Sequence, residues 1–330
     1  MYNIIGTKDL KGSNCMNRRY PLRLEGINKT TIWGGDKICS RFGGQAVNKL
    51  GERWILSARE NEDCIILNGL CRGMRLTEYL EAHCKELLPF PLLIKFIDAN
   101  DRLSVQVHPD DDTAVALGDD TVGKTEMWHI IEAEEGATIV YGIKPGISTE
   151  ELRAAVDGKC VESVLNFVPV KAGDTFFIPA GLVHAIGKGI LLAEVQQNSD
   201  TTYRFYDYGR LDASGNPRQL HVEKALTATK LMSDKDIENI AFSGAGEHDD
   251  KVLADCRYFK VYRADVNEGL ELNADEGHFL SLICLGGSGR IAWSEGEEAV
   301  SAGDSFFIPP ATGEVSFKGS ASLLISTSTS

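Results

Sequence analysis

A chain of 330 residues is longer than one hydrophobic core usually serves, about 250–300 residues, so two cores are expected. Its 43% hydrophobic and 25% charged content sets it among ordinary globular proteins and apart from disordered chains. The net charge of −14 repels nucleic acid and anionic membranes, so neither is an expected partner, and an anionic substrate would need a local cluster of Lys and Arg.

Residues 1–19 read as an N-terminal extension that lacks the apolar core of a signal peptide. No apolar run reaches the roughly 20 residues a bilayer helix needs, and the eight cysteines form no CxxC pair. A cytoplasmic chain with reduced thiols is expected. A helix is predicted over 76–87, with apolar residues at 76, 79, 80 and 87. Short strands follow over 91–97, 103–108, 126–132 and 138–142. Ser148 and Glu151 form a capping box for a helix that fades at Gly158. Strands at 174–179 and 189–196 and a helix over 221–229 complete the first part.

The stretch 233–250, rich in Ser, Asp, Glu and Gly, reads as a linker. Beyond it, strands are predicted over 258–264, 279–285, 289–293, 304–309 and 321–325. Many short strands separated by turns fit an antiparallel barrel or jelly roll. The segment Ala172-Gly-Asp-Thr-Phe-Phe-Ile-Pro179 returns 130 residues later as Ala302-Gly-Asp-Ser-Phe-Phe-Ile-Pro309, and two related barrels are its simplest cause. In each copy Gly-Asp makes the turn and Pro ends the strand where no ladder donor is needed. The pattern resembles the second half-motif of the cupin fold.

The chemistry-bearing residues fall on these strands. Alternation puts Ser104, Gln106 and His108 on one face of their strand, and Lys124, Glu126 and Trp128 on one face of the next. His184 follows the turn Pro179-Ala-Gly181, which aims an imidazole back across the barrel mouth. Two imidazoles and a carboxylate make a catalytic zinc set with one open position, so His108, Glu126 and His184 are the expected ligands of one metal ion. Gln106 is a further candidate, although amide oxygens are weak zinc donors. Counting 130 residues on from His184 gives Glu314, so the second barrel is expected to hold no metal. His129 faces away from Glu126 and reads as packing, His83 lies on a predicted helix, and His221, His248 and His278 lack a partner in register, so none of these is expected to serve the site.

At these residues the chain resembles a known family. Gly123-Lys-Thr-Glu-Met-Trp128, the run 103–111 (LSVQVHPDD) and the segment 177–184 are similar to type I mannose-6-phosphate isomerases. The likeness extends to 21–35 (PLRLEGINKTTIWGG), 90–99 (FPLLIKFIDA), 194–210 (EVQQNSDTTYRFYDYGR) and 221–226. The C-terminal hundred or so residues resemble only the degenerate second cupin of the short bacterial form. The resemblance implies a mainly β protein of two cupin (jelly-roll) barrels with a few helices inserted in and between them. Residues 20–232 would form the catalytic cupin and 251–330 the metal-free one.

It further implies interconversion of mannose 6-phosphate and fructose 6-phosphate at one zinc ion per chain, with ligands at Gln106, His108, Glu126 and His184. The family's active-site arginine falls on Arg204, and pocket residues fall on Ser104, Lys124 and Glu194. Aldose–ketose isomerisation needs a base and a stabiliser for charge on oxygen. Glu194 is nominated as the base, against a plainer role as an ion-pair partner orienting Lys124 or Arg204. Lys124 and Arg204 supply positive charge for a hexose 6-phosphate, with Ser104 beside them, while Arg210 reads as a surface ion pair. A cupin Fe(II) oxygenase remains open, because two histidines and one carboxylate also make its facial triad. A non-catalytic sugar-binding bicupin is the other alternative, and the sequence leaves the oligomeric state open.

Overall fold

Alternating apolar residues in the first two thirds of the chain build two antiparallel sheets that face one another. The computed structural model describes residues 19–44, 47–119, 122–211, 214–244 and 251–329; His248 and all but residue 19 of the N-terminal extension lie outside these. The six-stranded sheet runs Thr175–Ile178, Glu126–Ala133, Ile190–Gln197, Leu92–Ala99, Leu50–Leu56 and Ile27–Gly35. The five-stranded sheet runs Leu165–Pro169, Thr138–Ile143, His184–Ile186, Val105–Val107 and Tyr203–Tyr206. Leu92–Ala99 and Ile190–Gln197 are buried at every position, as expected of central strands covered on both faces.

The C-terminal third forms a nine-stranded sheet whose longest members are Leu280–Trp293 and Gly313–Ser328. Two strands from the start of the chain complete it. Leu22–Glu25 pairs with Ser305–Ile308 on one side and with Ile65–Ile66 on the other. The rings of Phe90, Phe279 and Phe307 meet at centroid distances of 5.1–5.8 Å, inside one apolar cluster that spans both halves. The two cores expected from length are therefore joined by a shared one. Among the described residues none of the three large sheets closes on itself, so the mainly β architecture is as expected and the sheets of the expected barrels are open ones.

The helices Leu76–His83, Thr149–Asp157 and Val222–Ala228 fall where they were predicted, and the second carries the Ser148–Glu151 capping box. One stretch holds more structure than expected, and one prediction needs correction. The stretch read as a linker carries the helix Asp234–Ala241, capped by Ser233 and Asp236, with Ile237 and Ala241 buried. Its polar composition hides a short amphipathic helix whose apolar side is only these two residues. The strands predicted at 279–285 and 289–293 are one strand, Leu280–Trp293. Gly286-Gly287, between the two predicted strands, sits at a register shift after Cys284, and Gly287 takes φ +82° where the ladder is interrupted without the strand ending.

Candidate metal centre

His184, Gln106 and Arg204 lie in one row across three neighbouring strands of the five-stranded sheet. Trp128, Glu194 and Lys95 lie in a similar row on the facing sheet. The centre forms where the two rows meet. One ligand atom from each of His108, Glu126 and His184 lies within 4.8 Å of the others, and all three residues are buried. His108 Nε2 is 3.2 Å from Glu126 Oε1, and His184 Nε2 is 4.0 Å from Glu126 Oε2.

Both imidazoles are oriented from behind. His108 Nδ1 lies 2.7 Å from the carbonyl oxygen of Thr201, and His184 Nδ1 lies 2.8 Å from that of Leu182. A carbonyl only accepts, so each Nδ1 carries the proton and each Nε2 turns its lone pair into the centre. Gly181, at φ +96°, donates its N–H to the His108 carbonyl at 2.8 Å, so the turn that delivers His184 is tied to the strand end that delivers His108.

Electrostatics keep these groups in ligand form. Burial, aided by the Lys124 charge, pushes the His108 imidazole down to about 3, and burial likewise lowers His184. Burial alone would raise Glu126, but Lys124 and His108 hold it well below the usual carboxylate range. Two neutral imidazoles and one ionised carboxylate, converging with their donor atoms inward, fit a divalent cation of the zinc type. Lys124 completes the cluster, its ammonium bonded to Glu126 and 3.3 Å from His108 Nε2.

Beside these three residues lies a cavity of about 190 Å³. Ser104, Gln106, Lys124, Glu194 and Arg204 all line it, so the structure brings every residue nominated from the sequence to one place. Arg204 Nε donates to Ser104 Oγ at 3.1 Å and its NH1 to the Gln219 carbonyl at 2.9 Å. Gln106 accepts from Ser104 Oγ at 3.2 Å, with its amide nitrogen 3.4 Å from His184 Nε2. Glu194 accepts from Trp128 Nε1 at 2.8 Å and lies 3.3 Å from Lys95 Nζ. Its partner is thus Lys95 rather than Lys124 or Arg204. Burial and the Glu126 charge raise the Glu194 carboxyl, with Lys95 opposing them.

Sequence reasoning missed Lys95, Glu52 and Arg218. Lys95 is buried and lies 3.5 Å from Glu52 Oε2 and 5.2 Å from the centre of the Trp54 ring. The available signal was a single lysine inside the apolar run PLLIKFIDA, because a charge in a strand covered on both faces requires a buried partner. Arg218 lines the cavity and is held by Asp207, whereas Arg210 pairs with Asp207 outside the lining. His221 also has a partner after all: its Nδ1 accepts from the Arg204 N–H at 3.3 Å, from the residue that begins the helix Val222–Ala228. His129 packs as expected, 3.0 Å from Thr175 Oγ1 on the outer face of its sheet.

Residues 22–128 match the family described as phosphomannose isomerase type I, catalytic domain, and residues 249–328 match that described as mannose-6-phosphate isomerase, cupin domain. Among curated proteins, the chain is 37% identical to mannose-6-phosphate isomerase of Streptococcus mutans, over 93% of this chain and 98% of that one. It is 35% identical to a mannose-6-phosphate isomerase of Bacillus subtilis over the same shares. Among solved structures, mannose 6-phosphate isomerase from Bacillus subtilis superposes with a TM-score of 0.83 at 34% identity, covering 93% of this chain and 99% of that chain.

Proposed function

The chain belongs to the mannose-6-phosphate isomerase family, and on that premise we propose that it interconverts mannose 6-phosphate and fructose 6-phosphate with one zinc ion held by His108, Glu126 and His184. It is an aldose–ketose isomerase and acts on a sugar phosphate. The observation that carries the residue roles is the meeting, at one buried point, of the three ligand residues with a cavity lined by Glu194, Lys124 and Arg204. Gln106 joins the ligand set in this reading, supported by its place opposite His184 on the neighbouring strand.

The reaction transfers a proton between C1 and C2 and another between O1 and O2, through an enediol or enediolate. Zinc, when bound, supplies Lewis-acid polarisation of the sugar oxygens, worth several kcal/mol of charge stabilisation. Glu194 takes the carbon-bound proton and returns it to the neighbouring carbon. Burial and the Glu126 charge raise its affinity for protons, which suits a carboxylate that must both accept and release one. Arg204, braced by Ser104 and Gln219, presents its remaining donors to the substrate, and Arg218 adds a second guanidinium to the same cavity. These charges answer the need for local cations in a protein of net charge −14.

The facing five- and six-stranded sheets read as the two halves of a cupin jelly roll, and the C-terminal sheet as its metal-free relative. A cytoplasmic location without nucleic-acid or membrane partners completes the reading. No helix among the described residues is long and apolar enough to cross a membrane. The test is a coupled assay for fructose 6-phosphate, run with metal analysis on the same sample. Turnover that tracks zinc content is the expected result. A sample inactive on mannose 6-phosphate that consumes oxygen when loaded with iron would overturn the reading in favour of an oxygenase.

A further inference from the structure

We propose that Tyr258, in the C-terminal part of the chain, is a positioning residue for the segment that carries Lys124 and Glu126. The Tyr258 hydroxyl donates to Asp111 Oδ2 at 3.1 Å, across 147 residues of sequence. Asp111 Oδ1 in turn accepts from the Gly123 N–H at 2.8 Å and from Gln197 Nε2 at 3.2 Å. Gln197 Oε1 accepts from the Thr125 N–H at 2.8 Å, and the Gln197 N–H returns a bond to the Thr125 carbonyl at 3.1 Å. Gly123 and Thr125 flank Lys124, and Thr125 directly precedes Glu126. The chain of bonds therefore ends on the backbone that aims the cluster's cation and its carboxylate.

Both ends of the brace are fixed. Tyr258 sits in a tight turn in which the Cys256 N–H bonds to the Phe259 carbonyl at 3.0 Å. The neighbouring Phe259 is buried with its ring 6.2 Å from that of Phe177, on the strand that pairs with Glu126–Ala133. At the other end a Cβ on Gly123 would stand 2.7 Å from backbone atoms of Asp110 and Asp111, so only glycine allows the loop ends to close onto Asp111. Burial and the adjacent Asp111 carboxylate push the Tyr258 phenol up to about 12, which keeps it a donor at neutral pH. In this arrangement the C-terminal sheet has a function in the metal-holding half, although it is expected to hold no metal itself.

The geometry stands without the isomerase reading, while its consequence for turnover rests on that reading. Tyr258→Phe keeps the ring and deletes the donor. Its backbone amides over residues 123–128 are expected to exchange hydrogen about 2–10-fold faster, with the midpoint of thermal unfolding held within a few degrees. Turnover should fall by a similar factor with KM for mannose 6-phosphate little changed. The Tyr258→Phe/Asp111→Asn double variant should be no slower than Asp111→Asn alone, because both break one chain of contacts. Unchanged exchange over 123–128, loosening spread evenly through the C-terminal sheet, or losses that multiply independently in the double variant would each overturn the brace. A wild-type protein that fails to isomerise mannose 6-phosphate, while Tyr258→Phe still loosens 123–128, would leave the brace standing and remove the isomerase reading instead.

Discussion

Lys95 stands directly opposite Glu194 on the neighbouring strand, its Nζ 3.3 Å from Oε1, with both side chains buried. Burial and the Glu126 charge raise the Glu194 carboxyl, and Lys95 holds that rise in check. Lys95→Met removes the restraint, so Glu194 should hold its proton to higher pH. With Glu194 as the proposed base, which acts only when ionised, the acid limb of kcat/KM against pH should move to higher pH, with a loss of about 10-fold or more at neutral pH. Lys95→Arg, which keeps the charge, should keep the limb near its wild-type position. A pH–rate profile whose acid limb stays put in Lys95→Met would remove Glu194 from the role of base.

The metal reading predicts a stability effect apart from activity. Zinc at about 100 times its Kd should stabilise the protein by ~2.7 kcal/mol, read as a rise in the unfolding midpoint. His184→Ala should abolish most of that rise and weaken zinc binding sharply, because it deletes one of the two imidazole nitrogens that face Glu126 among the described residues. Exhaustive chelation should stop turnover and added zinc restore it; full turnover after chelation would refute the metal's part.

Arg204 offers a sharper test of substrate contact than any charge count. Its Nε is committed to Ser104 and one terminal nitrogen to Gln219, which fixes the plane of the remaining donors. Lysine cannot hold both anchors and still present a fork. Arg204→Lys is expected to raise KM for mannose 6-phosphate by about tenfold or more, and Ser104→Ala, which frees only one anchor, by less. Equal kinetics in Arg204→Lys and wild type would show that the guanidinium does not meet the substrate.

Much of this site was legible because strands have period two. Alternation alone put Ser104, Gln106 and His108 on one face and Lys124 with Glu126 on the next, and those faces meet in the structure. Lys95 escaped because its strand is buried on both faces, so no alternation marks which side reaches the cavity. The shared core escaped for a different reason. Pairing of Leu22–Glu25 with Ser305–Ile308 joins segments some 280 residues apart, and no local pattern encodes such a contact. The helix Asp234–Ala241 was hidden by composition, since two buried residues in eight leave little apolar signal.

Glu314, which lies 130 residues after His184 and just past the repeated segment, is exposed on the strand Gly313–Ser328. Glu314→Ala is therefore expected to change turnover by less than about twofold and stability by less than ~0.5 kcal/mol. Read beside Tyr258→Phe, this separates two claims about the C-terminal sheet: that it braces the centre through one tyrosine, and that its position matching His184 is idle. A large loss in Glu314→Ala, measured in the same coupled assay, would show the second claim wrong.

His129 sets an acid limit on the fold. Burial, with Arg263 adding to it, lowers its pKa from about 6.5 to about 4, while Thr175, Asp174, Asp265 and Arg263 surround it. Between those values the unfolded chain takes up a proton that the folded protein refuses. The stability this group contributes is complete above about pH 6.5 and is lost as the pH falls toward 4. His129→Gln removes the titration and leaves His108 and His184 untouched, so the difference between the two proteins isolates one group. Urea unfolding at pH 7 and pH 4.5 should show the wild type losing about 1–3 kcal/mol more than His129→Gln over that interval. Identical losses in the two proteins would mean that His129 is protonated in the folded state, at odds with its burial between the two halves.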